Sequence, residues 1–241
     1  MKRRPLVLIA GWAHTEHALH PVASALHAAA YDIKVKSIWQ LLDQMEKATR
    51  QGCSPNACRP ARVEDLARRG ACKEKPGLSC YANALKQILE KQGAQCVVVG
   101  WSAGAIVGLE VACETPGSVR KEPRAVLGRF FQDVSWPAVE SESCLNEKVN
   151  AACHIGIEHL VHGLEYLRKM DLRDRLKGIE IPILIIHGKK DRIVPWQAGA
   201  WLNRSLPNSR IIIHKGVGHD IPERQAVVLA SQIREFLENR C

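Results

Sequence analysis

Apolar and polar positions along this chain change period in a regular way. Runs of consecutive apolar residues, "PLVLIAG" (5–11), "AQCVVVG" (94–100), "IPILIIHG" (181–188) and "RIIIHKG" (210–216), each close on glycine and read as short buried strands. "YDIKVKSIW" (31–39) reads as a further strand. Between the strands the pattern turns helical: about 17–30, then "YANALKQILEKQG" (81–93) with its glycine stop, then a helix opened by Ala103 that ends near "TPG". "AVVLASQIREFLENR" (226–240) is a closing helix. The stretch from Trp39 to Tyr81 is polar, with Cys, Pro and Gly scattered through it, and predicts short helices and loop. Residues 123–177 read as mostly helical, without a strand. Apolar strands alternating with helices predict an α/β fold, a mostly parallel sheet with helices on both faces. No repeat or low-complexity tract interrupts it.

In such sheets ligands sit beyond the carboxyl ends of the strands, so the residues there carry the candidate chemistry. Gly100-Trp101-Ser102-Ala103-Gly104 is a G-x-S-x-G stretch between an apolar strand and an apolar helix. Glycine at both flanks costs stability relative to alanine, so the backbone there has another use. A nucleophilic serine needs a sharp turn to expose its hydroxyl, and side chains at the flanks would collide with strand and helix. The N–H of Ala103 then points at a developing oxyanion. A serine needs a base, and the base an orienting carboxylate. Asp191 follows the penultimate strand and His219 the last, in the chain order serine, acid, histidine. Asp220 competes as the carboxylate, but adjacent side chains do not readily meet on one imidazole nitrogen. Gly11 lets the chain turn after the first strand, so the N–H of Trp12 is the candidate second oxyanion donor.

Composition narrows this reading. With 241 residues, 46% hydrophobic and 24% charged, the chain fits a globular α/β domain, taken as one domain spanning 1–241. "MKRRPLVLIAGWA" has the look of a secretion signal, but its apolar run stops at "HTEHALH", too polar to lead into a cleavage site. That run is also too short to span a bilayer, so no membrane association is expected. The odd set of nine cysteines, with Cys96 and Cys113 in core-like segments, suits reduced thiols and a cytoplasmic location. Cys53, Cys58, Cys72 and Cys80 lack the paired spacing of a zinc site, and His14, His17, His20 and His154, His159, His162 read as helix positions. Neither a metal nor a cofactor is expected. The net charge of +9 points to an acidic partner or substrate more than to nucleic acid, for which no signature is present.

These motifs resemble the α/β-hydrolase superfamily over nearly the whole chain. "GLEYLRKMDLRDRLKGIEIPILIIHGKKDRIVP" (163–195), "GW" at Gly11-Trp12, "GWS" at the nucleophile and "VLGRFFQDV" resemble the biotin-pathway carboxylesterases, the pimeloyl-[acyl-carrier protein] methyl ester esterases. The resemblance implies a helical lid over about 123–177 and substrate contacts from Trp12, Ser102, Ala103, His219 and the lid residues Phe130, Phe131, Gln132, Asp133 and Val134. It implies hydrolysis of a methyl ester on a pimeloyl chain held by acyl-carrier protein. Arg124, Arg129, Lys148, Arg168, Lys169, Arg173 and Arg175 make that lid basic, which suits an acidic carrier. The sequence departs from the family by going from the nucleophile helix to the lid without an intervening strand, and by its long cysteine-rich 39–81 stretch. The same triad would serve a general short-chain carboxylesterase or thioesterase, and a pocket that binds without turnover is the non-enzymatic alternative.

Overall fold

The computed structural model of the chain describes residues 4–10, 14, 16–27, 31–37, 40, 91, 97–100, 122–169, 171 and 173–239. Strand β1 (Arg4–Ala10) pairs in parallel with β2 (Tyr31–Ser37) on one side and β3 (Val97–Gly100) on the other, giving the order β2-β1-β3. The register sets Leu6 beside Ile33 and Val97, and Ile9 beside Gly100. Strands β4 (Ile183–Gly188) and β5 (Ser209–His214) form a second parallel pair, with Gly188 beside His214. All pairings among the described strands are parallel, as consecutive apolar runs require.

Helix α1 (His20–His27) is preceded by a 3-10 turn over Glu16–Leu19. The helix expected over 17–30 starts late because Pro21 has no N–H to donate back to the carbonyl of residue 17. Val22, Ala23 and Leu26 fall on one face of α1 and bury against Leu6 and Leu8 of β1. Leu229, Ala230 and Ile233 of the closing helix α7 (Ala226–Glu238) join the same cluster, together with Val217 and Ile221 from beyond β5. Ile186 of β4 packs against it, so both strand groups share one core. Between β4 and β5 runs α5 (Trp196–Ser205), and the short α6 (Ile221–Arg224) precedes α7.

The described part of 123–177 consists of helices joined by short non-helical segments, with no strand. Helix α2 (Pro123–Ser135) opens on proline, whose fixed φ suits a first turn. Helix α3 (Glu142–Ile155) is capped by Ser141, whose Oγ accepts the Cys144 N–H at 3.2 Å. It stops at Gly156, whose φ of 98° is left-handed territory that suits glycine. Helix α4 (Ile157–Lys169) follows, then a 3-10 turn over Arg173–Gly178. Leu127, Phe131, Val149, Ala152, Leu160, Val161 and Leu164 form a second core inside this layer. Each fully buried Leu or Phe there contributes about 1.5–3 kcal/mol. The expected loops of 39–81, the helix of 81–93 apart from Lys91, and the strandless run after the nucleophile helix lie outside the described residues. Among the described residues no helix is long and apolar enough to cross a membrane.

Candidate active site

The candidate residues follow the carboxyl ends of the strands. Because Ile9 pairs with Gly100, the chain leaves β1 toward Trp12 and β3 toward Ser102 from adjacent strands at the same level. Gly11, Trp12, Ser102 and Ala103 themselves lie outside the described residues. Strands β4 and β5 end level with each other, at Gly188 and His214.

The loop beyond β4 is built around one carboxylate. Asp191 Oδ1 accepts the N–H groups of Ile193 and Val194, each at 2.8 Å, which folds the loop into an Asx turn. Asp191 Oδ2 faces His219 Nδ1 at 2.8 Å, with both side chains about 5% exposed. His187, at the end of β4, places Nε2 3.0 Å from the Val194 carbonyl and 3.4 Å from the same Asp191 oxygen. Burial pushes the Asp191 carboxyl up, but hydrogen bonds from His187 and His219 outweigh it and hold the group well below the ordinary carboxylate range. An ionised Asp191 requires His219 Nδ1 to carry the proton it donates, which makes Nε2 the basic nitrogen. Asp220 is turned away, its Oδ2 accepting from Arg224 Nε at 2.8 Å.

Backbone contacts fix the two loops to each other. Lys189 N donates to the His214 carbonyl at 2.8 Å and Lys190 N to the Val217 carbonyl at 2.9 Å. A Cβ placed on Gly188 would sit 2.0 Å from the Gly218 carbonyl oxygen, and one on Gly218 would sit 1.7 Å from the Trp136 carbonyl oxygen. Three backbones are therefore stacked with no room for side chains. The third is the segment joining α2 to α3, whose Trp136 carbonyl packs on Gly218, the residue before His219. Trp136 in that segment lies under the Arg192 guanidinium, 3.5 Å from its ring centre, and Arg192 also reaches Asp133 at 3.4 Å.

Of the lid residues expected to meet substrate, Phe131 and Val134 are buried in the helical layer, Phe130 is half-buried, Gln132 is exposed, and Asp133 meets Arg192. Phe131 and Phe130 pack on His14, with ring centres 5.5 and 6.2 Å away. His14 is buried in the loop beyond β1, and burial, then the charges of His219 and Lys148, push its pKa down to about 3. Its imidazole is thus neutral through the neutral and mildly acidic range. Below the ordinary histidine pKa the unfolded chain takes up a proton that the folded chain refuses, so His14 costs stability as pH falls from 6.5 toward 3. Between pH 7 and pH 5 the wild type should lose about 2 kcal/mol more than His14→Gln. Denaturant melts at both pH values measure this, and parallel losses would rule it out.

Sequence reasoning missed several of these groups. His14, read above as a helix position beside His17 and His20, lies instead in the loop before the 3-10 turn, and His187 is a lone histidine near a strand end. Lys148, one of the basic residues of the lid named above, is turned inward: its Nζ meets Glu140 at 3.0 Å and Glu223 at 2.6 Å. Burial lowers the Lys148 pKa, but these carboxylates outweigh it and raise it. Glu140 also accepts from Ser135 Oγ at 2.9 Å and from Arg224 Nη2. Burial would raise its pKa, yet hydrogen bonds from Cys144, Lys148 and Ser135 bring it down to about 2. Arg124 donates to Asn150 at 2.8 Å on the exposed face of the layer, Arg129 is exposed, and Arg173 pairs with Asp171. The side chains of Arg168, Lys169 and Arg175 lie outside the described residues. His154 and His159 bond to carbonyls of their own helical layer, those of Asn150 and Ile155.

A parallel sheet with an aspartate and a hydrogen-bonded histidine beyond its last two strands defines an α/β-hydrolase. The fold agrees with that of a bromoperoxidase from Bacillus anthracis, which covers 98% of this chain and 92% of its own at a TM-score of 0.71 and 19% identity. Residues 44–230 match the family model of the serine hydrolases (FSH1), and the chain belongs to that family. It is 27% identical over 160 residues to the pimeloyl-[acyl-carrier protein] methyl ester esterase of Legionella pneumophila (strain Corby), a match covering 56% of this chain and 67% of that protein. At 27% identity over 171 residues it also resembles a protein named for carbamate hydrolysis, RutD, from Pseudomonas savastanoi pv. phaseolicola, over 57% and 66% of the two chains. The chain thus spans about two thirds of the length of these relatives. It is a member of the serine hydrolases.

Proposed function

We propose that this chain is a single-domain serine carboxylesterase, spanning 1–241 with a helical lid at 123–177, that hydrolyses the methyl ester of a carrier-linked dicarboxylic acyl chain. The observation that carries the reading is the 2.8 Å contact between His219 Nδ1 and the ionised Asp191, in the loops beyond the paired strands β4 and β5. In this mechanism His219 Nε2 takes the Ser102 proton as the hydroxyl attacks the ester carbonyl. The N–H groups of Trp12 and Ala103 receive the oxyanion. His219 then protonates the departing methanol, and water releases the free carboxylate by the same route. Among Phe130, Phe131, Gln132, Asp133 and Val134, Phe130 is best placed to line the acyl chain, since it is half-buried beside His14.

The pimeloyl-carrier substrate is supported by the relative of that name and by the net charge of +9, with Arg124 and Arg129 on the lid surface for an acidic carrier. The thiols of Cys144 and Cys153, both unbridged, suit the cytoplasm. A second reading, a hydrolase of small esters or carbamates, is favoured by the equally similar carbamate-hydrolase relative. Methanol release from methyl-pimeloyl acyl-carrier protein, beside p-nitrophenyl butyrate and with Ser102→Ala as control, tests the two. Serine-dependent turnover that prefers the carrier substrate supports the first. Cleavage of the nitrophenyl ester alone leaves the triad and removes the substrate. If neither is cleaved by folded protein, the esterase reading falls.

A further inference from the structure

Five charged side chains join the lid to the segment that carries His219. Glu140 and Lys148 come from the lid; Asp220, Glu223 and Arg224 follow His219 directly. Lys148 Nζ bridges Glu140 and Glu223 at 3.0 and 2.6 Å, and Arg224 bridges Asp220 and Glu140. Three of the five are largely removed from water, the Asp220 side chain being 1% exposed, Glu140 9% and Lys148 16%, while Glu223 and Arg224 stand at the rim at 23% and 36%. Three carboxylates meet two cations there, so removing either cation would leave buried negative charge uncompensated.

What this network holds in place is the site itself. Glu140 lies a few residues beyond Trp136, whose carbonyl presses on Gly218, and Gly218 presses on Gly188. His219 and Asp191 stand directly beyond those two glycines. On the other flank Arg192, next to Asp191, grips Trp136 and Asp133. The segment 133–140 is therefore clamped at both ends across Gly218. An unclamped segment would remove the backbone that limits where Gly218, and with it the imidazole of His219, can sit.

Resting on the catalytic reading above, we propose that Lys148, Glu140 and Arg224 are positioning residues for His219: by pinning segment 133–140 over Gly218 they hold the imidazole on Asp191. They touch neither substrate nor reacting atoms. Their effect is on turnover rather than on binding, because the pinned segment fixes the base and not the acyl chain.

The test combines kinetics with a signature that needs no substrate. A proton held between His219 Nδ1 and Asp191 gives a resonance far downfield in the proton NMR spectrum of the resting protein, assigned by its loss in His219→Gln. In Lys148→Met that resonance should broaden or vanish, kcat for p-nitrophenyl butyrate should fall about tenfold or more, and KM should stay within about twofold. Lys148→Arg should restore both. A folded Lys148→Met protein with the wild-type resonance and kcat would overturn the proposal, as would a loss confined to KM. Should Lys148→Met not fold, Glu223→Gln leaves the Lys148–Glu140 contact in place and should give a weaker resonance with a smaller fall in kcat; wild-type values for both would be equally fatal. If instead Ser102→Ala retains full activity, the catalytic reading fails on its own, while the resonance of the Lys148 variants still decides the positioning.

Discussion

Asp191→Asn lowers kcat for p-nitrophenyl butyrate by about 10³–10⁴-fold, with little change in KM. The asparagine oxygen can still accept the N–H groups of Ile193 and Val194, so the turn that shapes the loop survives. Its amide group, however, meets His219 Nδ1 with a donor where a carboxylate oxygen stood. The imidazole then moves its proton to Nε2, and the nitrogen that should take the serine proton no longer can. The same exchange removes an acid-sensitive part of the stability. The Asp191 carboxyl is held below the ordinary range in the folded chain, so its contribution is complete above the unfolded carboxylate pKa and is lost as pH falls through the depressed folded value. Full activity in the folded variant would show that another carboxylate orients the base, and Asp220, held by Arg224, would be the one to examine.

Gly218→Ala should be damaging for a different reason, since it changes no charge and no hydrogen bond. The new methyl carbon would lie 1.7 Å from the Trp136 carbonyl oxygen and 3.6 Å from that of Val134. The first distance is impossible, and the obstacle is backbone, which no rotamer change relieves. Either the segment over the site lifts or the His219 loop sinks. A cost of about 3 kcal/mol in stability is expected, since overpacking is rarely absorbed for less when backbones must part. Activity should fall about a hundredfold through displacement of the imidazole. Gly216→Ala is the matched control: a Cβ there meets nothing within 4 Å, and both melting and turnover should stay near wild type. Equal behaviour of the two variants would mean that the stacked backbones have slack.

The pairing of Asp191 with His219 was legible in the sequence because both stand just beyond a run of consecutive apolar residues. "IPILIIHG" and "RIIIHKG" mark strand ends without ambiguity, and a strand end in a parallel sheet is where chemistry collects. The helical layer was legible for a similar reason: Leu127 and Phe131, or Leu160 and Leu164, repeat at helical spacing. The clamp was not. Glu140 and Lys148 look like ordinary solvent-facing charges, and their partners Glu223 and Arg224 lie far along the chain, so no local pattern pairs them. Gly218 was not legible either, because a glycine that avoids a distant carbonyl carries no local signature. His187 differs from Asp191 only in lying at the last turn of a strand rather than beyond it.

The parallel pairing of β4 with β5 bears on when, during folding, the parts of the site come together. Ile183 finds Ser209 across a short connection that is mostly one helix, so the acid and base can meet through a nearly local event. Leu6 must find Val97 across a far longer stretch of chain before the strand that precedes the serine is in place. Closing the longer loop is the slower step. A refolding chain would then hold its proton relay before it holds its nucleophile, and hydrolysis would be the last property to return.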